Sequence, residues 1–138
     1  MISFNYETDF KLENEIQTSE WISKAIVSEN CEEGELNYIF CSDDYLHKIN
    51  VDFLNHDTLT DIISFDYSVG KELHGDIYIS VERVAENAKD FKVSFDEELA
   101  RVMIHGILHY CGYKDKSEID AKLMRSKEDY YLKERFQS

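Results

Sequence analysis

The chain predicts an α+β fold, a small mixed four-stranded sheet packed against about five helices. Two patterns carry that prediction. Some stretches alternate with period two or run through β-branched and aromatic residues, as strands do, while longer ones repeat apolar residues every three to four positions behind capping candidates. The order of these stretches along the chain supplies the class.

Ile2, Phe4 and Tyr6 alternate and predict a first strand. Trp21, Ile22, Ala25 and Ile26 follow with helical spacing, with Thr18 and Ser19 as capping candidates and a stop near Gly34. Leu36 to Cys41, aromatic and apolar, predicts the second strand. Ser42 can cap the next helix, with Leu46, Ile49 and Phe53 inward and Asp43 and Asp44 near its positive N-terminal end. A polar loop with Asn55, His56 and Asp57 precedes a third strand at Ile62 to Phe65, and a fourth spans Gly75 to Ile79.

Ser80 can cap a helix carrying Val84, Ala85, Ala88 and Phe91. Ser94 and Glu97 have the spacing of a capping box for the following helix, roughly Phe95 to Cys111. That helix is apolar over much of its circumference through Leu99, Val102, Met103, Ile104, Ile107 and Leu108, which predicts a buried, central position. Ser117 and Asp120 open a last helix, with Ile119, Leu123, Tyr130 and Tyr131 expected inward.

At 138 residues, with no low-complexity tract, Gly/Ser linker or repeat, a single domain over 1–138 is expected. Three cysteines cannot all pair and show no C-x-x-C spacing, so reduced thiols are expected. The start has neither a basic segment nor an apolar run long enough for a signal or membrane span; a cytoplasmic protein is expected. Twenty-nine acidic against fifteen basic residues, a formal charge of -14, argue against broad affinity for nucleic acid or anionic membrane. A local basic path or a bound cation can still serve a small RNA site.

The segment His105-Gly106-Ile107-Leu108-His109-Tyr110-Cys111-Gly112-Tyr113-Lys114-Asp115 concentrates the chemistry. Residues four apart share a helix face, so His105 and His109 can address one ion. Gly112 offers a left-handed stop that could bring Asp115 back as a third ligand. Three protein ligands leave a coordination position open, which separates a catalytic metal site from a closed structural one. Two helical histidines can equally be surface or satisfied core groups. The apolar helix argues for the metal, because a partnerless imidazole is costly there. Gly106, costing about 1 kcal/mol relative to alanine in a helix interior, implies a close approach to its backbone. It also occupies the position of the general base in the zinc-peptidase pattern H-E-x-x-H, which removes that route to peptide hydrolysis. Metal-assisted phosphodiester hydrolysis stays open. Cys111, six residues beyond His105, is rotated away from the histidine face and reads as core.

The segment resembles the YbeY family of metal-dependent endoribonucleases that mature ribosomal RNA, whose signature is H-G-x-L-H-x-x-G-Y-D-H. The matches are His105, Gly106, Leu108, His109, Gly112 and Tyr113; Asp115 stands where the commoner pattern has a third histidine, and Lys114 replaces the preceding aspartate. Upstream, Ile49-Asn50, Asp57, Thr60 to Phe65 and Gly75 to Ser80 resemble the family blocks L-N-x-x-[YW]-R-x-x-D-x-P-T-[DN]-V-L-S-F and L-G-D-I-x-I-S. Leu54 stands at the arginine and Leu59 at the proline. That arginine is the family's candidate for contacting phosphate, and His56 is a nearby chemical substitute, although an exposed loop histidine is the plainer reading.

Thr60, Asp61 and Ser64 could line a cleft beside the metal helix, or serve the loop and strand; structure is preferred for Ser64. Asp76 could orient a ligand or simply form a turn. The resemblance implies a zincin-like metal helix holding one divalent ion, with zinc expected, through His105, His109 and Asp115. It also implies single-strand-specific endoribonuclease activity in late ribosomal RNA maturation (16S rRNA 3′ end processing) and ribosome quality control. Its partners would be ribosomal RNA and the small ribosomal subunit, with neither membrane nor DNA. The alternative is a non-catalytic, metal-stabilised ribosome-assembly or RNA-binding factor, favoured by Leu54 and the acidic charge.

Overall fold

A computed structural model describes residues 1–136. Four strands, β1 (Ile2–Tyr6), β2 (Glu32–Cys41), β3 (Ile62–Asp66) and β4 (Glu72–Ser80), form one sheet in the order β1-β2-β4-β3. The β1–β2 and β2–β4 pairs are parallel and β3–β4 is antiparallel, so the sheet is mixed, as expected. Five helices accompany it: α1 (Glu15–Ser28), α2 (Asp43–Leu54), α3 (Val81–Phe91), α4 (Phe95–Tyr110) and α5 (Glu118–Phe136).

Strand alternation divides the core. Leu36, Tyr38 and Phe40 of β2 and Leu73, Ile77 and Ile79 of β4 turn to one face, where they pack with α1, α4 and α5 in the main cluster. The opposite face carries the smaller cluster of Cys41, Leu46 and Ile63 under α2. Helix α4 is central because it is apolar almost all round, with Leu99, Val102, Met103, Ile104, Ile107 and Leu108 all buried. Two tyrosines fix its height over the sheet. The Tyr38 hydroxyl donates to the Met103 carbonyl at 2.9 Å, and the Tyr110 hydroxyl donates to the Phe65 carbonyl at 2.9 Å.

Gly106 allows the contact. A Cβ there would stand 3.2 Å from Ile62 Cδ1 and 3.3 Å from Ile77 Cδ1, so α4 seats on β3 and β4 through this residue. The close approach expected from the sequence is therefore made by the sheet. Ser94 accepts a hydrogen bond from the Glu97 amide at 3.1 Å, the first half of the expected capping box. Ser42 and Ser80 cap α2 and α3 in the same way.

Three expectations about α1 and α2 need correction. Helix α1 starts at Glu15, so Thr18 is a buried residue of its first turn, donating to Asn14 Oδ1 at 3.4 Å. It ends at Ser28, where Asn30 with φ 61° takes the left-handed conformation expected of a glycine. Gly34 lies inside β2, and glycine is needed there because a side chain would strike the Leu73 carbonyl and the His74 ring. On α2, Phe53 is 71% exposed: it meets Phe65 of the edge strand edge-on at 6.3 Å and leaves the rest of its ring in solvent.

The last helix buries Tyr131 as expected but otherwise turns a different face inward from the one predicted. Ile119, Leu123 and Tyr130 are exposed, and the buried residues are Met124, Glu128, Tyr131 and Leu132. A carboxylate in the middle of the buried stripe makes apolar periodicity point the wrong way.

Candidate metal centre

Helix α4 presents His105 and His109 on one face, one turn apart, with ring centroids 4.5 Å apart. The helix ends at Tyr110, and Gly112, with φ +106°, reverses the chain. Asp115 returns over the histidine face. Its Oδ2 lies 3.2 Å from His105 Nε2 and 3.3 Å from His109 Nε2, and the two Nε2 atoms are 3.0 Å apart. The three groups expected from the sequence form one triangle of donor atoms.

The outer nitrogens decide what the triangle can hold. His105 Nδ1 lies 2.6 Å from Glu128 Oε2, and His109 Nδ1 lies 3.0 Å from the Tyr113 carbonyl oxygen. Carboxylate and carbonyl oxygens only accept, so each Nδ1 carries the hydrogen, and in the neutral rings each Nε2 turns a lone pair toward Asp115. Three lone-pair donors then converge, an arrangement that repels itself unless a cation sits among them. Tetrahedral bonds of about 2.0–2.1 Å need donors roughly 3.3 Å apart, so the donor set fits one divalent ion. His105, His109 and Asp115 could hold it.

Glu128 is the residue that sequence reasoning missed. It is 5% exposed, on α5, and its other oxygen accepts from Arg101 Nη1 at 2.9 Å. Arg101 Nη2 donates in turn to Asp129 Oδ1 at 2.8 Å. The carboxylate thus holds the His105 ring from behind while the guanidinium holds the carboxylate. Burial lowers the His105 pKa, but the hydrogen bond and charge of Glu128 outweigh it and leave the imidazole above its ordinary value.

Beside the triad lies a cleft of about 450 Å³, with α3 on one side, α5 on the other and α4 between them. Asp61 and Glu98 face it. Asp61 accepts from Asn87 Nδ2 at 3.2 Å, and its loop is held by Asn50, whose Nδ2 donates to the Thr58 carbonyl at 2.9 Å. Burial pushes the Asp61 carboxyl up, and burial followed by the Asp61 charge pushes Glu98 up.

The other sequence candidates are placed apart from the triad. His56 is exposed in the loop after α2, outside the cleft lining, with its amide donating to the Asn50 carbonyl at 3.1 Å. Thr60 donates to the Ile62 carbonyl at 3.3 Å, and Ser64 is exposed on β3. Asp76 accepts from Asn37 Nδ2 at 3.0 Å across β2 and β4, on the face of the sheet away from α4. Cys111 is half-buried against the main cluster, as expected of a core residue.

A family model described as Endoribonuclease YbeY matches residues 2–135. The chain belongs to the endoribonuclease YbeY family. Relatives named Endoribonuclease YbeY include one from Flavobacterium johnsoniae, 72% identical over 94% of this chain and 93% of that protein. Another, from Flavobacterium psychrophilum, is 69% identical over 96% of this chain and 95% of that one. The solution structure of TM1509 from Thermotoga maritima has a TM-score of 0.75 at 30% identity, covering 99% of this chain and 90% of that one. Membership of the YbeY family thus rests on nearly the whole chain.

Proposed function

We propose that the protein is a single-domain, single-strand-specific, metal-dependent endoribonuclease of late ribosomal RNA maturation, acting at the 16S rRNA 3′ end and in ribosome quality control. The observation that carries this reading is the convergence of three lone-pair donors at the mouth of a cleft, in a chain of the YbeY family. His105, His109 and Asp115 would hold one divalent ion, for which two imidazoles and a carboxylate suit zinc. A bound ion with an open position supplies an activated water and stabilises charge on a phosphoryl oxygen. The chain's own part is positional. Glu128 and the Tyr113 carbonyl fix the imidazole tautomers, and Ile62 and Val102 give the cleft an apolar wall beside the site. Gly106 leaves no carboxylate at the base position of a zinc peptidase, which favours RNA over peptide as substrate.

The partners follow from that reading: ribosomal RNA and the small ribosomal subunit, met in the cytoplasm. No helix among the described residues is long and apolar enough to cross a membrane. With a net charge of -14, recognition must be local rather than a broad attraction to polyanions.

His109→Ala tests the proposal. The variant should lose bound metal and RNA cleavage together, measured by elemental analysis and by cleavage of a single-stranded RNA. A metal-free variant that still cleaves at the wild-type rate overturns it. RNA binding by nuclease-free wild-type protein without cleavage would support the non-catalytic assembly factor, the reading that Leu54 favours.

A further inference from the structure

The cleft beside the triad contains two arginines in different circumstances. Arg101 is spent: its two Nη atoms donate to Glu128 and Asp129, and its side chain is 15% exposed. Arg125 is free by comparison. Its Nη1 lies 3.9 Å from Glu128 Oε1, beyond hydrogen-bond reach, and its side chain is 57% exposed. Glu128 spans the distance from this guanidinium to the metal ligands, since its other oxygen touches His105 Nδ1. Arg125 therefore puts a forked donor, held only at long range by a carboxylate whose oxygens Arg101 and His105 already engage, on the cleft wall that His105 and Asp115 also line, in a protein whose net charge otherwise repels phosphate.

The opposite wall ends in an aromatic ring. Phe91 is the last residue of α3, lines the same cleft and is 57% exposed. The core does not account for it, because α3 buries Val84 and Ala88. The ring lines the same cleft as Arg125, His105 and Asp115.

We propose that the cleft is a nucleotide clamp, in which Arg125 contacts a backbone phosphate and Phe91 stacks on the adjoining unpaired base. It rests on the endoribonuclease reading and deepens it by naming the substrate-holding residues. A ring stacks on any base, and a base must be unstacked from its neighbours to reach it, so the clamp selects single strands without reading sequence. Arg125 then places the phosphate, and it does so from a different element than α2, which ends at Leu54.

The test is equilibrium binding of a short fluorescent single-stranded RNA with phosphorothioate linkages to the metal-loaded protein, by anisotropy at several salt concentrations, beside cleavage of ordinary RNA. Phe91→Ala should weaken binding about tenfold and Phe91→Trp should restore it. Arg125→Gln should weaken binding and reduce the slope of log affinity against log salt by about 0.7, while Arg125→Lys keeps the slope. Metal titration and thermal melting should match wild type in all four, because neither side chain is buried. If either Phe91→Ala or Arg125→Gln binds as wild type, the clamp is overturned, and cleavage by wild type then leaves the nuclease reading standing. Wild type that does not cleave, but binds with the expected dependence on both residues, supports the clamp and removes the nuclease activity. Wild type that neither binds nor cleaves overturns both.

Discussion

At the scale of single residues, the candidate metal centre depends on hydrogen bonds made behind it. Glu128 serves two partners with two oxygens, His105 through Oε2 and Arg101 through Oε1. Glu128→Gln keeps the volume but has only one oxygen, so either the imidazole or the guanidinium must face an amide NH2. Metal affinity, read by competition with a chromophoric chelator, should fall about ten- to a hundredfold. An unchanged affinity would mean that Glu128 serves α5 packing alone. The sequence discloses His105, His109 and Asp115 because helical spacing and a glycine stop act over eleven residues. It does not disclose Glu128, which lies 23 positions from His105 on another helix and meets it only after α4 and α5 pack.

At the scale of elements, the fit of α4 on the sheet controls where the histidines stand. Gly106 lies against the side chains of Ile62 and Ile77, and His105 is its immediate neighbour. Gly106→Leu would overfill this contact, at a cost of about 1–3 kcal/mol, and would push the histidine face away from Asp115. Denaturant midpoint and metal affinity should fall together. Loss of stability with intact metal affinity would show that the site tolerates a displaced α4. Helix α5 shows where periodicity misleads. Its polar and apolar residues give little amphipathic contrast, and the stripe that packs on α4 includes the carboxylate of Glu128. Burial there is tolerated because Arg101 and His105 satisfy the charge, a condition that no window of local sequence contains.

At the scale of the whole molecule, Glu29 ties three distant segments together. At the end of α1, with a side chain 8% exposed, it accepts from the Tyr113 hydroxyl at 2.6 Å, from the Tyr131 hydroxyl and from Lys127 Nζ at 3.3 Å. Tyr113 belongs to the loop between Gly112 and Asp115, so this carboxylate anchors the loop that carries the third candidate metal ligand. Burial raises the Glu29 pKa, and the hydrogen bonds from Tyr113, Tyr131 and Lys127 outweigh it, leaving the carboxyl below its ordinary value. A depressed carboxylate contributes stability that is fully present above the unfolded value and is lost as pH falls through the folded one. Glu29→Gln should therefore lower the melting temperature at neutral pH, and its difference from wild type should narrow down the acid limb. A difference that stays constant with pH would assign the loss to packing rather than to charge.

The sequence by itself determined the α+β class, the sheet-forming segments, the central apolar helix and the three groups that could hold a metal. All of these are fixed by local spacing: period two for a strand, four residues for a helix face, one glycine for the reversal. The tertiary structure alone decided which imidazole nitrogens carry hydrogen, which face of α5 is buried, and that Gly34 is kept by a neighbouring strand rather than by a turn. It also decided that Phe91 and Arg125 share a cleft with the triad. Each of these depends on groups far apart in the chain, whose contacts come into being only when burial brings the elements together.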